Sequence, residues 1–114
     1  MNIKAIANKI GLDYENALED FCGDVSELSS RLQKFASSDV VNELKKSLDN
    51  GDHANIKKIA HSVRNSSEKI WLTNIAKIAG RVETADDDKI KNATAVLIEK
   101  LEEIDSTINK KDEE

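Results

Sequence analysis

The stretch NGDHANIKKIAHSVRNSSEKI, residues 50–70, decides how the chain is read. Asn50-Gly51 marks a helix stop, since glycine takes the left-handed conformation that ends helices at no steric cost. Asp52 is placed to cap the next helix, its carboxylate accepting from the free N–H groups of the first turn. Ile56, Ile59, Ala60 and Val63 then recur at the three- and four-residue spacing of one helical face. At about 100° per residue these four fall within an arc of roughly 100°. His61 lies about 150° from the centre of that arc, on the solvent side. Lys57 stands four residues before it, and Arg64, Asn65 and Glu68 three, four and seven after it, on the same outer surface.

The pattern continues in both directions. Towards the N-terminus, Ile3, Ile6 and Ile10 predict a short helix closed by Gly11, and Asp13 caps a second run through Tyr14, Ala17, Leu18 and Phe21 that stops at Gly23. Val25, Leu28, Leu32 and Phe35 form one stripe and Val41, Leu44 and Leu48 another. The two stripes fall out of register by more than half a turn, so a kink or short break is expected at Ser37-Ser38-Asp39. Towards the C-terminus, Ile70 and Leu72 mark a connection, and Leu72, Ile75, Ala79 and Val82 give a further stripe. After a loop from Thr84 to Asp88, Ile90, Ala93, Leu97, Leu101, Ile104 and Ile108 step regularly over about five turns. The expected fold is all-α: an antiparallel up-down-up-down four-helix bundle with a short extra N-terminal helix.

Composition agrees. The 114 residues contain no proline, four glycines and few aromatics, which favours packed helices over strands. That length suits one domain spanning 1–114, with a core from about 12 to 108 and a frayed tail over 109–114. A net charge of −5 argues against nucleic-acid binding, which needs a basic face to displace counterions. The runs Asp86-Asp87-Asp88 and Asp112-Glu113-Glu114 read as a solvated loop and a solvated tail. The single cysteine, Cys22, cannot form an internal disulfide and reads as a packed or half-buried thiol. No long apolar run follows Met1-Asn2-Ile3-Lys4, so neither a signal peptide nor a membrane span is expected, and the chain is placed in the cytoplasm.

Chemistry centres on His61. An exposed imidazole, with a reference pKa of about 6.5, can act as a nucleophile, and a phosphoryl group added to it would sit beside the cations of Lys57 and Arg64. His53 lies two turns earlier, about 12 Å along the axis. That is too far to share a metal with His61, and His53 reads as an ordinary surface residue. With two histidines and one cysteine, no metal site is expected. Trp71 reads as a cap on the bundle, or as a docking contact if exposed.

The segment Ala60-His61-Ser62-Val63-Arg64-Asn65-Ser66-Ser67, followed by Ile70, Ile75 and Val82-Glu83, resembles the signature of the histidine-containing phosphotransfer domain. Upstream, Leu18 to Asp24, Leu32 to Phe35, Leu44 to Leu48 and Asn50-Gly51-Asp52 match in order, so that the likeness covers roughly residues 12 to 108. In that family a small residue precedes the reactive histidine, and a hydrophobic residue, a basic residue and a glycine follow. Ile-Gly and Leu-Glu pairs come later. Two positions depart: Asn65 stands where the family keeps a glycine, and Trp71 replaces the glycine of the Ile-Gly pair.

The resemblance implies a phosphocarrier in a two-component phosphorelay. His61 is phosphorylated, Arg64 and Lys57 assist, and Asn65 and Glu68 form part of the docking surface. The partners implied are response-regulator receiver domains or a hybrid histidine kinase. The chain needs no cofactor of its own, since magnesium belongs to the receiver, and four helices that close their own core imply a monomer. With no phosphate loop and no kinase motif set, ATP-dependent kinase activity is not expected. The alternatives are a relay-inactive docking module, which Asn65 and Trp71 would favour, and a purely structural bundle without a signalling partner.

Overall fold

The computed structural model describes residues 2–109; the acidic run 112–114 and most of the expected frayed tail lie outside them. Among the described residues the chain is all-helical. The helices are α1 (Ile3–Ile10), α2 (Tyr14–Asp20), α3 (Val25–Ala36), α4 (Val40–Asp49), α5 (His53–Lys69), α6 (Thr73–Glu83) and α7 (Ile90–Ile108). Two short helices, rather than one, therefore precede α3, and the out-of-register stripes are resolved by a full break at 37–39. Among the described residues, no helix is long and apolar enough to cross a membrane.

Local chemistry sets the starts of α1, α2, α3 and α5. Asn2, Asp13, Asp24 and Asp52 each accept, through the side chain, a backbone N–H three residues on. Each such cap satisfies one of the four orphan donors of a first turn, and losing one costs about 1 kcal/mol.

The stops of α1, α2, α4 and α5 follow one pattern. At Gly11, Cys22, Gly51 and Trp71 the chain takes a positive φ. In each case the next residue's N–H reaches back five positions, as in Leu12 to Ala7, Gly23 to Leu18, Asp52 to Ser47 and Leu72 to Ser67. These are Schellman motifs, in which the left-handed position is usually glycine. Gly11 has a second reason, since a Cβ there would lie 2.6 Å from Cβ of Asn74. The stop of α2 is not Gly23 alone: Cys22 already has φ 54°. That turn carries the thiol out of the core, and Cys22 is exposed rather than packed or half-buried.

One buried cluster takes residues from α1 to α7. Leu28 and Leu32 of α3, Leu44 of α4, Ile56 and Ala60 of α5, Leu72, Ala79 and Val82 around α6, and Ile90 and Leu97 of α7 are fully shielded. Val25, expected on the inner stripe of α3, is 42% exposed, because the first turn of that helix lies beyond the cluster. α5 makes its most extensive contact with α6, α6 also meets α7, and α4 touches both α5 and α7. Polar groups that enter the cluster are satisfied. Ser67 donates to the carbonyl of Val63 and Thr94 to that of Ile90, both at 2.7 Å, while Asn55 ties α5 to Ser47 of α4 at 2.8 Å.

Trp71 holds the corner between α5 and α6 in the left-handed conformation, with φ 63°. Its ring packs against the core, its indole N–H donates to Asp20 at 2.7 Å, and its carbonyl accepts from Asp13 at 2.9 Å. Replacing it with alanine removes the ring and its hydrogen bond but keeps the backbone strain, whereas glycine removes both. Trp71→Ala should therefore be less stable than Trp71→Gly by about 1 kcal/mol, measured by urea denaturation. The reverse order would show that residue 71 is not held at positive φ.

Candidate functional site

His61 sits on the exposed ridge of α5, its side chain 55% accessible. Two neighbours come from its own helix at the three- and four-residue spacing that places side chains together. Arg64 brings Nη2 to 3.3 Å from Nδ1, and Asn65 brings Nδ2 to 3.2 Å from Nε2. The third neighbour is Glu83, the last residue of α6. Its Oε2 lies 2.7 Å from Nδ1, and its Oε1 accepts from Nε of Arg64. Arg64 also reaches Glu68 at 3.4 Å, one turn further along α5.

This geometry assigns the tautomer. A carboxylate oxygen 2.7 Å from Nδ1 requires a proton between them, so Nδ1 donates to Glu83. Nε2 is then the nitrogen with the free lone pair, and it accepts from the amide of Asn65. Arg64 cannot also donate to Nδ1, so its 3.3 Å approach is contact beside a carboxylate that both groups share. A ring oriented by a shielded carboxylate on one nitrogen, with the other nitrogen met by the exposed Asn65, can serve as a nucleophile.

Electrostatics around Glu83 are consistent with this role. Its side chain is 18% exposed against 55% for His61. The hydrogen bond from Arg64 holds its carboxyl below the ordinary value of 4.5, against the opposing effect of burial, and the bond from His61 lowers it further. The same contact with Glu83 raises the guanidinium of Arg64, with Glu68 adding to it. Arg64 thus stands as the counter-ion of two carboxylates.

The residues picked out in the sequence separate into groups. The structure brings Arg64 and Asn65 to the ring of His61 and ties Glu68 to Arg64. The ion pairs of the site do not include Lys57, which is half-buried on α5. Glu83 was legible only as half of the Val82-Glu83 pair; no spacing argument connects residue 83 to residue 61, because the contact crosses between two helices. His53, at the start of α5, pairs instead with Asp87 in the loop before α7, at 3.2 Å.

Ser62, the residue after His61, lines a shallow groove of about 340 Å³ between α3 and α5. Phe35, Val40, Val63 and Ile70 give it an apolar floor, Ser62 and Ser66 add hydroxyls, and Arg31, Lys34 and Lys69 supply its charge. No carboxylate lines it, although acids outnumber bases in the chain by 22 to 17. Comparison with family models, curated proteins and solved structures returns no match for this chain.

The depressed carboxyl of Glu83 fixes the sign of a pH effect. Its contribution to stability is complete above the ordinary value of 4.5 and is lost as pH falls through its lower folded value. Glu83→Gln should therefore flatten the acid limb of the stability curve, measured by urea unfolding from about pH 6 to about pH 2.5. An acid limb of unchanged slope would show that Glu83 is not held by Arg64 in solution.

Proposed function

We propose that the chain is a histidine phosphocarrier, relaying a phosphoryl group between aspartates of response-regulator receiver domains through Nε2 of His61. The observation that carries this reading is an exposed imidazole whose Nδ1 is held by the shielded carboxylate of Glu83, which leaves the lone pair on Nε2. The resemblance around residues 60–83 points the same way.

In the transfer, a receiver phosphorylated on aspartate docks over His61. The Nε2 lone pair forms the N–P bond while the P–O bond to the aspartate breaks, its electron pair returning to the carboxylate. The ring keeps its Nδ1 proton and becomes cationic, and Glu83 faces the charge that develops there. Arg64 contributes by holding Glu83 in place, and its guanidinium lies on the Nδ1 side rather than beside the incoming group. A magnesium ion held by the receiver would supply neutralisation of the transferring phosphoryl. The carrier thus provides a nucleophile and its orientation, and has no ATP-dependent kinase activity of its own.

The architecture proposed with it is an antiparallel up-down-up-down bundle of α4 to α7, acting as a monomer in the cytoplasm. Supporting this are the short connections 50–52, 70–72 and 84–89 and the contacts of α4 with α5, α5 with α6, α6 with α7, and α7 with α4. Lys45 of α4 and Glu102 of α7 pair at 2.9 Å across the closing contact. The groove lined by Ser62, next to His61 in the chain, offers a receiver a modest interface of the kind suited to transient docking.

A second reading, a docking module that binds a receiver or histidine kinase without carrying phosphate, is favoured by one observation: Asn65 already occupies Nε2. Incubation with phosphorylated receivers and magnesium, followed by intact mass, separates the two. The carrier reading expects an acid-labile gain of one phosphate that is absent in His61→Gln. Receivers that bind but transfer nothing would replace it with the docking module.

A further inference from the structure

We propose that Asn65 is a positioning residue that caps the nucleophile: its side-chain amide donates to the Nε2 lone pair and occupies the line along which phosphorus must arrive. The proposal rests on the reading of His61 as the phosphoryl acceptor. It concerns what this chain has placed where the related pattern keeps a glycine.

Three observations carry it. Nδ2 of Asn65 stands 3.2 Å from Nε2, the separation of about 3–3.5 Å at which a reacting atom sits before bond formation. Nδ1 is already committed to Glu83 at 2.7 Å, so the capped nitrogen is the only one from which the ring can attack. Asn65 itself is exposed and, being one helical turn after His61 on α5, depends on no other helix to reach it. Attack through Nε2 therefore requires the amide to swing aside, and the ring exchanges a hydrogen bond for the bond to phosphorus. A resting carrier built this way is less open to small phosphoryl donors than an uncapped one.

Phosphoramidate, a small donor that needs no receiver, tests the cap directly. In this reaction the Nε2–P bond forms, the P–N bond of the reagent breaks and ammonia leaves, while the Nδ1 proton stays with the ring beside Glu83. Asn65→Ala removes the donor and improves helix propensity, so the fold is retained. It should load phosphate roughly two- to tenfold faster than wild type, the rate equivalent of one hydrogen bond. Asn65→Asp replaces a donor with an acceptor and favours a proton on Nε2, so it should load more slowly than wild type.

Imidazole ¹⁵N spectra at about pH 8 supply a readout that a structural role would not move. Wild-type Nε2 should resonate as a hydrogen-bonded pyridine-type nitrogen, moving towards the free value in Asn65→Ala and towards the protonated type in Asn65→Asp. Loading of Asn65→Ala at or below the wild-type rate would overturn the proposal. Should no variant be modified at His61, the carrier reading falls on its own, and the Nε2 resonance decides the cap: a shift in Asn65→Ala supports it and an unmoved line overturns it.

Discussion

Three residues, Ile70, Trp71 and Leu72, turn the chain between α5 and α6, and the surroundings of His61 depend on that turn. Ile70 and Leu72 are buried on either side of it, and Trp71 between them adopts a conformation that non-glycine residues avoid. The strain is offset by what the residue holds. Its ring covers the core, its N–H binds Asp20, and its carbonyl receives Asp13, so that both ends of α2 are fastened to the same corner. From there α6 carries Glu83 to the side of α5 where His61 and Arg64 stand. A corner of different length or handedness would leave the helices intact and separate the carboxylate from the imidazole.

Much of the helical framework could be read from residues that act locally. Asp13 and Asp52 cap helices because a short carboxylate fits a free first turn, and Gly11 and Gly51 end helices because a positive φ costs them little. Cys22 and Trp71 perform the same stop without being glycine, and no local preference announces that. Trp71 is held by its contacts with α2, and the turn at Cys22 points its thiol outward, so periodicity could announce neither the exposed thiol nor the anchored indole. Val25 shows the converse, since periodicity records which face a residue is on but not whether a neighbour covers that turn.

The candidate site divides along the same line. Arg64 and Asn65 follow from His61 by helical spacing alone. Lys57 obeys the same spacing, yet the charges around His61 are arranged without it, because Glu83 and Glu68 engage Arg64 from the other direction. What spacing could not supply was a carboxylate from 22 residues away. Its arrival changes the part played by Arg64, from a free cation awaiting phosphate to the partner that keeps Glu83 ionised and in place. The cations lining the groove beyond Ser62 are Lys34, Lys69 and Arg31, the last of which pairs with Glu27.

The origin of Glu83 on a separate helix has a consequence for when the imidazole of His61 is oriented. An expanded state that kept helix α5 would still display His61 with Arg64 and Asn65 beside it, since those contacts are internal to one helix. It would not have Glu83, and the imidazole would be free to exchange its proton between both nitrogens. The oriented imidazole is therefore a property of assembled tertiary structure, and a nascent or partly melted chain carries the histidine without its fixed tautomer. The contact thus reports on the fold itself, through a carboxylate that only a docked α6 can deliver.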